Sequence, residues 1–263
     1  MFLFEPPPSQ GDLHFRVLGF PVRVHPMFWL MTLIFGLSGG GEKTAPGELL
    51  AWVGVVFVSI LVHELGHALV QRRYGGHPWI TLHGMGGLAS CQDCDRRPLP
   101  QILISLAGPL AGFALATVVL GALWVGGRLT LWSPGDPVIE DSDPLARHVE
   151  LVSLGKSTLV WKLFPQWIAN ITVLKMLYVN IIWGLVNLLP VYPLDGGRAS
   201  REVCMMLRGA RGIDLSLWIS IVVGGAMAAY AFMNWHSLYT ALMFGYLALE
   251  SYRGLQAYRT NRR

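Results

Sequence analysis

The stretch LLAWVGVVFVSILVHELGHALV, residues 49–70, is an apolar run that ends in two histidines and a glutamate. About 20 consecutive apolar residues are needed for a helix to cross the hydrocarbon core of a bilayer. Ionisable side chains within such a helix are costly unless they bind a metal, pair with each other or line a water-filled cavity. The stretch therefore predicts a transmembrane helix that carries a polar cluster near one of its ends.

The composition of the whole chain indicates a membrane protein. Hydrophobic residues make up 53% of the 263 residues and charged residues 14%, and the mean hydropathy is +0.46. An ordinary soluble domain has about 25% charged residues. We therefore predict an all-α polytopic membrane protein with about six transmembrane helices. These lie at residues 27–37, 49–70, 99–125, 168–189, 215–232 and 238–249, of which the first and the last are short.

The distribution of Lys and Arg predicts how the spans are oriented, because these residues concentrate in cytoplasmic connections. The connections expected in the cytoplasm contain Arg16, Arg23, Arg72, Arg73, Arg96, Arg97, Arg198, Arg201, Arg208, Arg211, Arg253, Arg259, Arg262 and Arg263. The connection at 128–165, on the opposite side, is acidic through Asp136, Glu140, Asp141, Asp143 and Glu150. Both termini are therefore expected in the cytoplasm of a prokaryotic cell. The pI of about 9.1 then indicates contact with anionic lipid, and no basic stripe indicates nucleic acid.

The connections have their own local patterns. Residues 15–24 are typical of a short strand pair, and residues 79–90, WITLHGMGGLAS, predict a β-hairpin on the cytoplasmic side. Residues 196–208 predict an amphipathic helix on the cytoplasmic surface. Within the fourth span, Asn180 is expected to form an interhelical hydrogen bond.

The cysteines are expected to be reduced, because Cys91, Cys94 and Cys204 all fall in or near cytoplasmic connections. Cys91 and Cys94 form the sequence CQDC, but a closed zinc site needs four ligands and the chain has no second CxxC pair. We therefore expect two free thiols in this loop.

The sequence HELGH, residues 63–67, has the spacing of a zinc site. On a helix, His63 and His67 lie on one face, about 6 Å apart along the axis, so that both imidazoles can reach one metal ion. Glu64 projects from the adjacent face, where in HExxH sites it accepts a proton from water and does not bind the metal. The alternatives are a chance match to the motif and a structural polar cluster.

A zinc site of this kind needs a third protein ligand, and Asp195 is the best candidate. In NLLPVYPLDGGR, residues 187–198, two prolines end the fourth span on the side of the membrane that carries HELGH. Asp195 is the next acidic residue, and the two glycines after it permit a close backbone approach. We expect packing of the second and fourth spans to bring His63, His67 and Asp195 together around one zinc ion per chain.

The paired motifs HELGH and NLLPVYPLDGG resemble those of the site-2 protease family of intramembrane zinc metalloproteases, peptidase family M50. The hairpin with HGMGG and the small-residue segment SLAGPLAG, residues 105–112, are also similar to the family. The resemblance implies a three-helix catalytic core at about 49–74, 99–127 and 166–190. It also implies zinc ligation by His63, His67 and Asp195, general-base catalysis by Glu64, and a place in the active site for Asn187. The sequence departs from the family pattern in that we find no PDZ insertion and no CBS pair, and we expect a single domain over 1–263.

The expected function is hydrolysis of peptide bonds within or next to the transmembrane segments of substrate proteins. The hairpin at 79–90 then either pairs with an unwound substrate as an added strand or simply covers the site. A metal-binding or transport protein, an inactive scaffold, and a membrane-tethered protease for soluble peptides are the alternatives. Glu64 distinguishes among them, because a transporter gains little from a carboxylate that does not bind the metal.

Overall fold

The fold combines long helices with two small sheets. The structure is a computed structural model, and it describes residues 5–38, 45–132, 148–154 and 157–260. In chain order its elements are β1 (Leu13–Val17), β2 (Phe20–Val24), α1 (Pro26–Ser38), α2 (Pro46–Arg73), β3 (Trp79–His83), β4 (Gly86–Ser90), α3 (Pro98–Val125), β5 (Leu129–Trp132), β6 (His148–Leu154), β7 (Ser157–Lys162), α4 (Trp167–Tyr178), a π-helical turn (Val179–Trp183), α5 (Gly184–Asn187), α6 (Asp195–Arg208), α7 (Arg211–Met233) and α8 (Leu238–Thr260).

Four helices among the described residues are long and apolar enough to cross a membrane. They are α2, α3, the continuous helix Trp167–Asn187 and α7, which confirms that apolar helices of sufficient length occupy the four longer spans predicted from the sequence. The two short predicted spans correspond to α1, with 13 residues, and to α8, with 23 residues. Neither of these belongs to the four, so the count of six spans stays a prediction.

Helices α2 and α3 approach each other closely because small residues line their contact. A Cβ atom on Gly66 of α2 would collide with the carbonyl oxygen of Ala107 and lie 2.7 Å from the Cβ of Ala111, both on α3. Such contacts let helix backbones pack without intervening side chains. Helix α2 also contacts the continuous helix Trp167–Asn187, where the side-chain amide of Asn180, in the π-helical turn, donates a hydrogen bond to Ser59 Oγ at 2.9 Å. This bond confirms the interhelical role predicted for Asn180.

The first sheet has the strand order β1-β2-β3-β4. The pairs β1–β2 and β3–β4 are antiparallel hairpins, as their sequences predict, and β2 and β3 join them in parallel. This joining was not predicted. The inner face of the sheet packs on α2, in a core that contains Val22, Val24, Ile80, Leu82, Leu65 and Ala68. Strand β4 is at the edge of the sheet, beside α2.

A second sheet, with the order β5-β7-β6, corrects the all-α prediction. It occupies part of the connection at 128–165, which the sequence presented only as an acidic loop. Trp161 of β7 is fully buried and packs with Leu123 at the end of α3 and with Leu129. The acidic residues Asp136, Glu140, Asp141 and Asp143, which supported the topology prediction, lie outside the described residues.

The prediction of two free thiols in CQDC is wrong, because Cys91 and Cys94 are joined by a disulfide with a Cα–Cα distance of 5.7 Å. The two cysteines follow β4 in a tight connection that lies against the turn after α2. Gly76 in that turn leaves space for the disulfide, since a Cβ atom there would lie only 2.5 Å from Cys94 Sγ and 2.6 Å from Cys91 Sγ. Cys204 is a free, buried cysteine.

The amphipathic helix predicted at 196–208 is present as α6, and it packs against α3 and α7. Ala199 and Cys204 lie on its buried face, whereas Met206 and Leu207 are exposed. Helices α7 and α8 form a tight hairpin behind it. A Cβ atom on Gly224 of α7 would lie 3.2 Å from the Cβ of Ala248 on α8.

A candidate metal centre between two helices

Two of the candidate ligands come from one turn of α2. His63 and His67 are one helical turn apart, and their Nε2 atoms lie 3.2 Å from each other. The two nitrogens therefore point at the same position, which is the arrangement that the spacing in HELGH predicts. Both side chains are buried, with 6% and 7% of their residue surface exposed.

The third candidate ligand, Asp195, reaches the same position from the start of α6, 132 residues after His63 in the chain. Its Oδ2 atom lies 3.0 Å from His63 Nε2 and 3.4 Å from His67 Nε2. Asp195 is the first residue of α6, where the helix dipole favours a negative charge. The structure thus brings together the three residues that the sequence named as ligands.

Glycines allow the loop before Asp195 to fold back tightly. A Cβ atom on Gly196 would collide with the carbonyl group of Leu188, and one on Gly197 would collide with the backbone of Val191 and Tyr192. Only residues without a side chain fit at these two positions. The sequence DGG therefore sets the close return of the chain that places Asp195 beside α2.

Helix α3 completes the surroundings of the two histidines. His67 Nδ1 lies 2.6 Å from the carbonyl oxygen of Ile104, so that an Nδ1–H group donates to this carbonyl and leaves Nε2 with a free lone pair. A Cβ atom on Gly108 would collide with His67 Nε2 and lie 2.7 Å from His63 Nε2. Gly108 therefore provides the space beside both nitrogens.

The donor set fits a divalent metal ion. Ligand atoms of His63, His67 and Asp195 all lie within 4.8 Å of one another, and this is the one such group found among the described residues. Two imidazole nitrogens and one carboxylate oxygen are a ligand set that zinc uses in catalytic sites, where a fourth position stays open. The hydrogen bond from His67 to Ile104 supplies the outer contact that typically orients a metal-binding histidine.

Glu64 is buried next to this cluster and lies under strand β4. Its residue surface is 6% exposed, and a Cβ atom on Gly87 of β4 would lie 2.5 Å from Glu64 Oε1. The second glycine of the pair in HGMGG, Gly87, is thus explained by the close approach of the strand to this carboxylate, whereas Gly86 has a positive φ of 127° that favours glycine. The edge of the sheet passes directly over the candidate base.

Asn187 is buried at the end of α5, but its recorded contact is within its own helix. Its side-chain amide donates to the carbonyl oxygen of Trp183 at 3.0 Å. The structure records no contact between Asn187 and the three ligands among the residues it describes, so its role at the site stays a prediction. Sequence reasoning assigned neither Ile104 nor Gly108 to the site. The segment SLAGPLAG was the available signal, since small residues mark close helix contacts.

Comparison with known proteins identifies the family. The sequence model described as "Peptidase family M50" matches residues 51–231 of this chain. Rip3 of Mycobacterium tuberculosis, whose name places it among the zinc metalloproteases, is 34% identical over 71% of this chain and 42% of its own length. Zinc metalloprotease MJ0392 of Methanocaldococcus jannaschii is 27% identical over 72% of this chain and 44% of its own length. The chain thus spans less than half the length of these relatives.

A solved structure shares the fold. The site-2 protease from Methanocaldococcus jannaschii superposes with a TM-score of 0.52 at 21% identity, and the match covers 91% of this chain and 94% of that one. At this identity the likeness concerns the fold alone.

Proposed function

Because the chain belongs to peptidase family M50, we propose that it is an intramembrane zinc metalloprotease that hydrolyses peptide bonds within or next to transmembrane segments. The observation that carries this proposal is the convergence of His63, His67 and Asp195 beside the buried carboxylate of Glu64. Three of its members, His63, Glu64 and His67, lie on α2, which is apolar and long enough to span a bilayer. Ionisable groups in such a helix are by default a functional site.

His63, His67 and Asp195 would hold one zinc ion per chain. When bound, zinc supplies Lewis acidity, both towards a water molecule and towards the carbonyl group of the scissile bond. The hydrogen bond to Ile104 fixes the ring of His67 and keeps its Nε2 atom available as a ligand. Gly108 keeps the space beside both imidazoles open.

Glu64 would act as the general base and does not belong to the ligand set. Its carboxylate accepts the proton of the attacking water and can return it to the leaving amine. Burial under β4 keeps bulk water away from this carboxylate, which strengthens its electrostatic interactions. Asn187, at the end of the neighbouring helix, would hold the carbonyl group of the substrate.

The edge strand β4 would present the substrate to the site. A peptide bond inside a transmembrane helix is protected by the hydrogen bonds of that helix, so the substrate must unwind before hydrolysis. An unwound segment can satisfy its backbone by pairing with an exposed strand edge. Since β4 passes over Glu64, a segment added to this edge would run close to the base.

The chain is an integral membrane protein, and we propose that its active site faces the cytoplasm. The supporting feature is the charge distribution, which gives Arg72 and Arg73 at the end of α2 and Arg96 and Arg97 before α3. Both termini would then be cytoplasmic. Reporter fusions at Arg96 and Arg208 should report the cytoplasm, and a fusion at Asp141 the outside; an external signal at Arg96 would contradict this orientation.

The decisive experiment is the substitution Glu64→Gln, which removes the base and keeps the size of the side chain. Substrates trapped by this variant in cells can be identified by mass spectrometry and then co-expressed with the wild-type chain. Cleavage of such a substrate should fall by about 10² to 10⁴, as is typical for loss of a general base. Bound zinc should stay near the wild-type level.

Glu48→Gln is the matched control, since Glu48 lies on the same helix, in its first turn, and bonds to Trp167. Its cleavage should equal that of the wild type. Full cleavage by Glu64→Gln, or loss of its zinc, would contradict the role given to Glu64. Purified wild-type chain without bound metal would contradict the proposed function as a whole.

A further inference from the structure

The loop that carries Asp195 is held by the last two helices of the described chain. The backbone N–H of Tyr192 donates to Ser220 Oγ of α7 at 3.0 Å. The backbone carbonyl oxygen of Tyr192 accepts a hydrogen bond from Ser251 Oγ of α8 at 3.4 Å. Both polar backbone groups of this one loop residue are therefore satisfied by hydroxyls from two different helices.

These hydroxyls are inside the protein and not at its surface. Ser220 is 1% exposed and Ser251 is 2% exposed. Ser220 Oγ also lies 3.3 Å from the carbonyl oxygen of Pro190, at the start of the same loop, and 3.0 Å from that of Ser216 in its own helix. Buried backbone groups need such partners, because an unpaired one is costly. Val191, between the two contacted residues, is fully buried.

Tyr192 lies three residues before Asp195, and the backbone between these two residues has little freedom to move. Leu194 N–H donates to the carbonyl oxygen of Val191 at 2.8 Å, and Gly197 fits against the backbone of Val191 and Tyr192. A displacement of Tyr192 would thus be transmitted to Asp195. The ring of Tyr192 also lies 5.8 Å from the guanidinium group of Arg201 on α6, which ties the loop to the helix that Asp195 begins.

We propose that Ser220 and Ser251 are positioning residues of the metal centre, which makes α7 and α8 part of the active-site structure. This inference rests on the proposed function only in taking Asp195 as a metal ligand. Ser251 lies on α8, beyond residue 231, where the match to the family model ends. The role of α8 therefore comes from this chain's own contacts.

The test uses the purified full chain and the metals Zn²⁺ and Co²⁺ in competition with a chelator. Ser220→Ala leaves the N–H of Tyr192 without its partner, so we expect metal binding to weaken by about tenfold, which corresponds to the loss of one buried hydrogen bond. Ser251→Ala should weaken it by a few-fold, since its bond is longer. Ser251→Thr keeps a hydroxyl and should restore the wild-type value.

Ser216→Ala is the matched control, because the Ser216 hydroxyl bonds to Ile213 in its own helix and not to the loop. It should leave metal affinity and the absorption spectrum of bound Co²⁺ unchanged, whereas Ser220→Ala should alter both. Hydrogen exchange of residues 188–197 in the metal-free chain is an independent readout. It should be faster in Ser220→Ala and Ser251→Ala than in Ser216→Ala.

The outcomes separate this inference from the proposed function. Affinities, spectra and exchange rates equal to those of Ser216→Ala would overturn the positioning role while the metal centre stands. If Ser220→Ala does not fold, the comparison of Ser251→Ala with Ser251→Thr decides in the same way. A wild-type chain that binds no metal would contradict the proposed function, whereas the exchange measurement would still test how the loop is held.

Discussion

The candidate metal centre is built from two regions that hold their candidate ligands in different ways. Helix α2 supplies His63, Glu64 and His67 from a regular helix, whose hydrogen bonds alone fix the spacing of the side chains. The loop at 188–194 supplies Asp195 after an irregular path, with no repeating backbone pattern to define it. Local structure is therefore sufficient to pair the histidines, but only tertiary contacts can bring the carboxylate to them.

The contacts around the two regions differ accordingly. Helix α2 is positioned by close backbone packing against α3 at Gly66 and by apolar side chains that pack on the first sheet. The loop is positioned by glycines that fit its own backbone and by hydroxyls from α7 and α8. We therefore expect the helix to tolerate changes in distant elements, and the loop to depend on them.

Removal of a ligand from either region should have the largest effect. His67→Ala and Asp195→Ala each leave two of the three ligands. Metal affinity should fall by more than the 10- to 100-fold that is typical for loss of an outer contact to a ligand. Metal content of the purified variants measures this directly, with His77→Ala, an exposed histidine, as control. If Asp195→Ala kept its metal while His67→Ala lost it, Asp195 would not be a ligand. The comparison of the two regions would then have no basis.

A methyl group between the histidines should have the next largest effect. The Cβ atom of Gly108→Ala would collide with the Nε2 atom of His67, so one or both imidazoles must move. We expect metal affinity to fall by about 10- to 100-fold, with a loss of stability of about 1–3 kcal/mol from overpacking. The measurements are metal competition and denaturation in detergent.

Gly121→Ala is the control on the same helix, since a Cβ atom there meets open space. It should leave the metal centre unchanged and favour the helix slightly, because alanine has the higher helix propensity. Equal metal affinity in the two alanine variants would show that α3 does not constrain the histidines.

The corresponding change against the loop, in the first turn of α6, should act on Asp195 alone. Gly197→Ala pushes a Cβ atom into the backbone of Val191 and Tyr192, so the loop has to open. Metal affinity should fall by about tenfold, within the range for an indirect contact, because two histidines remain in place. Gly225→Ala, at an open position in α7, is the control. A change at Gly197 without effect would mean that the loop can move without displacing its ligand.

The same division explains how much of the structure the sequence predicts. Spans of apolar residues, the HELGH spacing and the two hairpins depend on neighbours in the chain, and the sequence predicts all of them. The sequence does not predict the parallel pairing of β2 with β3 or the second sheet, because these depend on residues far apart in the chain. The prediction of free thiols at Cys91 and Cys94 is wrong, because disulfide formation depends on the exact placement of the two side chains. Asp195 was found because two motifs were considered together. The hydroxyls of Ser220 and Ser251 have no sequence signal, since serine in an apolar helix has many uses.

The smallest effect is expected for a hydrogen bond between α2 and the helix that precedes the loop. Asn180, in the helix that leads to the loop, donates to Ser59 of α2 at 2.9 Å, and both residues are buried. Interhelical hydrogen bonds in membrane proteins average about 0.6 kcal/mol in double-mutant cycles. Asn180→Ala, Ser59→Ala and the double variant should therefore show a coupling of about this size in the free energy of unfolding.

Metal affinity should change little in the same variants, because α2 and the loop are each held near the centre by other contacts. Asn234→Ala is the control, since its side chain is exposed and bonds within its own helix. It should change stability by less than about 0.5 kcal/mol, as is usual for surface positions. A coupling well above 1 kcal/mol, together with loss of metal, would mean that the helix and the loop form one cooperative unit. The histidines would then not be placed by local structure independently of the tertiary contacts that place Asp195.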